Sequence, residues 1–145
     1  MVHALNRTRR WLRPDGCLID IHPADTLAGV DVCTRTEIIR VGVVQDDSDA
    51  KGPTGRHHAA DLALEKAIAR HGWILDRRET FTFSTVGDAA DDVDDYLRRK
   101  WRAARLDAAT RGRANALLRA HPGATVRVIE DVIITRMKTP ERDHH

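Results

Sequence analysis

The stretch Thr125-Val126-Arg127-Val128-Ile129-Glu130-Asp131-Val132-Ile133-Ile134-Thr135-Arg136-Met137 decides the fold class of this chain. It is rich in β-branched residues, which fit a pleated surface. Over its second half, apolar residues fall on both sides of the period-two pattern. A strand apolar on both sides belongs inside a sheet, with neighbours along both edges. Four other runs can supply those neighbours. Cys17-Leu18-Ile19-Asp20-Ile21 is a short apolar strand closed by His22-Pro23. Residues 30–32 and 37–44 read as a hairpin turned by residues 33–36. Residues 73–86 form a long strand in which Trp73, Leu75, Phe81 and Phe83 share one face. Arg77 and Glu79 interrupt that face, and a bulge or an exposed middle is expected there.

Helices fill the gaps between these strands. Residues 3–12 carry Leu5, Thr8 and Leu12 near one face, and Pro14-Asp15-Gly16 stops the helix. Residues 56–71 place Ala60, Leu64, Ala67, Ile68 and His71 on one face, with Thr54 as a cap and Gly72 at the C-terminal stop. Residues 88–105 carry the stripe Ala89, Val93, Tyr96, Leu97, Trp101 and Ala104. Their acids precede their bases, which suits the helix dipole, and Asp94–Arg98 and Asp95–Arg99 are spaced for ion pairs. Asp107 caps a last helix to about residue 120, with Ala114, Leu117 and Leu118 inward and Pro122-Gly123 closing it. Residues 45–55 hold acids, Gly52, Pro53 and Gly55 without an apolar period, and read as a mobile surface loop. The order predicts an α/β class. Strands 17–21 and 73–86 are joined by a helical crossover, and the last strand slots between them.

The chain has 145 residues, 41% hydrophobic and 32% charged, which suits one folded domain over residues 1–137 with a flexible tail at 138–145. A net charge of +2 is too small for bulk attraction to nucleic acid or an anionic membrane. No apolar run approaches the ~18 residues of a membrane span. Cys17 and Cys33 form no Cys-x-x-Cys pair, which excludes a disulfide framework and points to a reducing, cytoplasmic setting. Cys17 is expected to be buried in its strand and Cys33 to sit near a turn.

Residues 4–20, and most sharply Arg10-Trp11-Leu12-Arg13-Pro14-Asp15-Gly16, resemble a segment of class I S-adenosylmethionine-dependent methyltransferases. In that family a helix, a Leu-Arg/Lys-Pro-Gly-Gly turn and a strand lead into the fifth strand of a seven-stranded sheet. The resemblance implies a partial Rossmann-like methyltransferase sheet. Residues 17–21, 73–86 and 125–137 would match the fifth, sixth and seventh strands, with an added hairpin and two inserted helices. The family holds its methyl donor in its N-terminal half, on a Gly-x-Gly loop and an acidic residue. None of the nine glycines here makes a Gly-x-Gly pair. The resemblance therefore implies no cofactor on the chain alone, and S-adenosylmethionine only if a partner chain completes the sheet. The acceptor would be a small molecule.

Few residues stand out for chemistry. His22 ends the strand at 17–21, where open α/β sheets place ligand-facing groups, and with Asp25 it could line an acceptor pocket. The bland alternative is a strand-end histidine beside a Pro turn. His57 and His58 are neighbours on a helix and diverge by about 100°, so they cannot hold one ion together. Neither cysteine has a predictable base partner. The bases at 98–105 and 111–113 lack stacking aromatics and follow an acidic cluster, which argues against nucleic-acid binding. Two expectations remain. One is a methyltransferase-like domain that is inactive alone. The other is a non-catalytic homodimerisation or protein-interaction module, using the unpaired edge of Cys17-Leu18-Ile19-Asp20-Ile21.

Overall fold

The computed structural model describes residues 2–47, 55–101 and 104–139. The elements run α1 (Val2–Arg9), β1 (Cys17–Pro23), β2 (Gly29–Cys33), β3 (Ile38–Val43), β4 (Gln45–Asp46), α2 (Arg56–Arg70), β5 (Ile74–Gly87), α3 (Ala90–Lys100), β6 (Ala104–Arg105), α4 (Ala108–Ala120) and β7 (Thr125–Lys138). The class is mixed α/β, with four helices and an open sheet among the described residues.

β7 is the centre of that sheet, as its two-sided apolar pattern requires. β5 runs antiparallel along one edge of it, from Ile74 against Lys138 to Gly87 against Val126. The other edge is shared. β1 pairs with the C-terminal half of β7, from Cys17 against Lys138 to Pro23 against Val132. β2 pairs with the N-terminal half, from Gly29 against Ile129 to Cys33 against Thr125. The last strand thus lies between β1 and β5, in the expected position. Every pairing among the described residues is antiparallel. β2 and β3 form the expected hairpin, but the hairpin is a full member of the sheet through β2 and β7.

Two separate cores cover opposite faces. Val126 and Val128 of β7 and Val30 and Val32 of β2 pack under Val93 and Leu97 of α3 and Ala114 of α4. Met137, from the opposite side of β7, packs with Leu64 and Ala67 of α2, Leu5 of α1 and Trp73. Fully burying side chains of this size contributes roughly 1.5–3 kcal/mol each. Each helix pair therefore covers one end of the sheet on one face only.

Local stops behave as the sequence indicates. Gly72 after α2 and Gly123 after α4 take positive φ, 67° and 85°. Asp107 caps α4, its side chain accepting from the Thr110 amide. Several expectations need correction. The helix expected over 88–105 ends at Lys100, and Ala104–Arg105 instead pair with Gln45–Asp46, so the expected loop begins as a strand. Thr54 and the tail beyond Thr139 lie outside the described residues, and Gly55 occupies the N-cap of α2. Cys17 is exposed rather than buried, because it sits at the end of a strand with one free edge. The bulge in β5 falls between Leu75 and Arg77. It turns Leu75 to the Met137 side and leaves Phe81 and Phe83 on the opposite face. The four residues expected to share one face are thus split. Among the described residues no helix is long and apolar enough to cross a membrane.

Candidate functional site

The sheet is uncovered where β1, β7 and β5 lie side by side beyond the reach of α3 and α4. Paired residues share a face, so the register defines what is displayed. Ile21 stands opposite Ile134, Pro23 opposite Val132, and Ile19 opposite Arg136. From the other side, Phe81 stands opposite Val132, Glu79 opposite Ile134, and Phe83 opposite Glu130. Ile19, Ile21, Phe81 and Phe83 are each 44–59% exposed. A shallow cavity of about 200 Å³ opens on this face between Ile19, Ile134, Arg136 and the Arg77–Glu79 ion pair. β1 and β5 also leave their outer edges without a strand among the described residues. Apolar surface beside free strand edges generally favours association with another chain.

The opposite face of the same strands carries a half-buried polar clamp around His22. His22 Nδ1 lies 2.5 Å from an Asp20 carboxylate oxygen, and its Nε2 lies 3.1 Å from Asp61 on α2. Arg78 of β5 donates to the same Asp61 oxygen at 2.6 Å. Strand alternation puts Asp20 and His22 on one side of β1, and the register brings Arg78 opposite Thr135 on that side too. The Thr135 hydroxyl is buried and has no hydrogen-bond partner among the described residues. Carboxylates only accept, so the His22 ring makes both bonds at once only when it carries both protons. The clamp ties β1, α2 and β5 together.

His22 and Asp25, the two residues singled out from the sequence, both face α2. His22 meets Asp61, and Asp25 lies 3.6 Å from His58 Nδ1. They are brought to the same helix but not to a shared ligand. The sequence reading joined neither Asp61 nor Arg78 to His22. The signal for them was faint: a carboxylate near the start of α2 and a cation in a long strand. Among the described residues no group of three or more His, Cys, Asp or Glu side chains is arranged to hold a metal ion.

Asp76, at the β5 bulge, accepts from Lys138 Nζ at 2.6 Å and from Arg136. The hydrogen bond from Lys138, helped by that from Arg136, holds the Asp76 carboxyl below the ordinary carboxylate range. This fixes the bulge that separates Leu75 from the phenylalanines.

No family model, curated protein or solved structure matches this chain.

Proposed function

We propose that this chain is a methyltransferase-like half-domain, inactive alone, that docks another polypeptide through the open β1–β7–β5 region of its sheet. One observation carries the reading: Ile19, Ile21, Phe81 and Phe83 are exposed together on a sheet face flanked by two free strand edges. The antiparallel insertion of β7 between β1 and β5 supports the methyltransferase-like part, since the resemblance implies that arrangement. On this reading the next strand of the sheet joins at the β1 edge. The docked polypeptide brings the glycine loop and the acidic residue that hold S-adenosylmethionine. A methyl transfer then depends on holding donor and acceptor in line. His22 and Asp25 would line the site of a small-molecule acceptor. His22 reaches that acceptor only by giving up one of its two carboxylate contacts.

Calorimetry with S-adenosylmethionine tests this reading. The purified chain alone should bind none. Co-expression with a chain that carries the missing strands, the glycine loop and the acidic residue should restore one-to-one binding. One-to-one binding by the lone chain contradicts the proposal, and no binding with any complementing chain removes its methyltransferase part.

A second reading is a non-catalytic self-association module. It is favoured by β5, which is exposed on both faces over most of its length and free along one edge.

A further inference from the structure

β5 is the longest free edge in the described structure, 14 residues against seven in β1. Its two halves differ in chemistry. Asp76-Arg77-Arg78-Glu79 is charged and adjoins the bulge, and both features discourage edge pairing. Thr80-Phe81-Thr82-Phe83-Ser84-Thr85-Val86 has no charge, no glycine and no proline. A run of that length and composition on a free edge is a template for another strand.

Deepening the self-association reading, on which it rests, we infer that β5 pairs antiparallel with β5 of a second copy about a two-fold axis at Thr82. The register follows from the sequence of the edge. A two-fold axis normal to the sheet keeps each side chain on its own face, so it passes through a residue that stands opposite itself. With Thr82 there, Phe81 meets Phe83 of the second copy, and Phe83 meets its Phe81. Thr80 meets Ser84, and Thr82 meets Thr82. These are aromatic and hydroxyl pairs, which stabilise antiparallel sheets. Outward from them, Glu79 meets Thr85, Arg78 meets Val86, and Arg77 meets Gly87. No like charges are opposed. An axis at Phe81 sets Glu79 against Phe83. An axis at Phe83 sets Phe83 against itself but Phe81 against Thr85, so one aromatic pair remains where the Thr82 register has two. The Thr82 register alone keeps the aromatics together and the charges outside. The open sheets of two copies become one, and the apolar face extends across the junction.

Sedimentation equilibrium on the full chain, with its thiols kept reduced, tests the pairing. The wild-type chain should reach twice its 16.3 kDa mass as concentration rises. Two double variants then read the register. Thr80→Lys with Ser84→Lys opposes like charges at two cross-strand positions, as does Thr80→Glu with Ser84→Glu. Each alone should weaken self-association about tenfold or more. An equimolar mixture of the two should restore a dimer, because each lysine then meets a glutamate. Thr80 and Ser84 are exposed, so the fold should persist, as circular dichroism will show. Ile38→Lys on β3, an exposed residue away from both the open face and β5, should leave the dimer unchanged. A wild-type chain that stays monomeric overturns both the pairing and the self-association reading. A wild-type dimer that the lysine double variant leaves intact, or that Ile38→Lys abolishes, overturns the β5 pairing alone. A lysine and glutamate mixture that stays monomeric overturns the register.

Discussion

Replacing Asp94 with alanine should unfold this protein far more readily than a helix-surface change would. Asp94 lies on α3, yet its side chain is only 4% exposed. One carboxylate oxygen accepts from the buried Leu106 amide at 2.6 Å, and the other from Arg98 Nε at 2.9 Å. Arg111 Nη1 stands 3.6 Å away. Alanine leaves the Leu106 amide buried without a partner, which costs about 1–3 kcal/mol. The lost contact with Arg98 adds little, since that guanidinium is half exposed. The void left by the carboxylate brings the total to roughly 2–4 kcal/mol. For a chain of this size, that is a fall in Tm of about 6–12 °C. Asparagine keeps an acceptor for the amide and should cost less than half as much. Thermal unfolding by circular dichroism, with urea titration on the same samples, measures both variants. A fall below about 2 °C for alanine, or equal falls for alanine and asparagine, would refute the assignment of Asp94 as the acceptor that pins the segment before α4.

Gly42→Ala should destabilise by about 1–3 kcal/mol, because the new methyl meets the buried Thr110 side chain. Adding Thr110→Ala should recover part of that loss in urea unfolding, and simple additivity would show that the two sites do not touch. Asp107 has a carboxyl held below its ordinary value, chiefly by the Thr110 amide and then by the Thr110 hydroxyl. A lowered folded value means stabilisation that is complete above the ordinary carboxylate range and is lost as pH falls through the lowered value. The Tm gap between the wild-type chain and Asp107→Asn should therefore close in acid, and a gap that is the same at every pH would contradict the cap. Ile21→Thr and Phe83→Thr lie on the open face and should each change stability by less than about 1 kcal/mol while reducing binding of a hydrophobic dye. Losses comparable to that of a buried leucine would mean that this face is covered in the isolated chain.

The sequence revealed most where pattern and environment agree. The two-sided apolar run of β7 marked a central strand, and Arg77 and Glu79 announced the bulge near Leu75. Gly72, Gly123 and Asp107 marked helix ends through local backbone chemistry, which needs no knowledge of distant contacts. The place of the β2–β3 hairpin was not legible, because the pairing of Val32 with Val126 is long-range and no local period encodes it. Phe81 and Phe83 read as sharing a face with Trp73 and Leu75, yet they stand on the opposite face, where the helices do not cover them. Asp94 read as an ion-pair partner of Arg98, which it is, but not as a buried acceptor for the Leu106 amide. Its position was the missed signal: it lies four residues after Ala90 and three before Leu97, inside the buried stripe of α3. For the candidate site, His22 was visible as a strand-end residue. Its clamp was not, since Asp61 and Arg78 come from elements remote in sequence.

The most direct test of the open sheet as an association surface is amide hydrogen exchange along β1 and β5 over a dilution series. In the dilute chain, the amides of residues 80–86 that do not bond to β7 should exchange quickly. They should gain protection as concentration rises, and the free-edge amides of β1 should gain it when a complementing chain is added, while the Leu64 region of α2 stays protected throughout. Residues 80–86 that are equally protected at every concentration would mean that the edge is already satisfied within one chain. Rapid exchange there at every concentration and with every complementing chain would mean that nothing docks on β5.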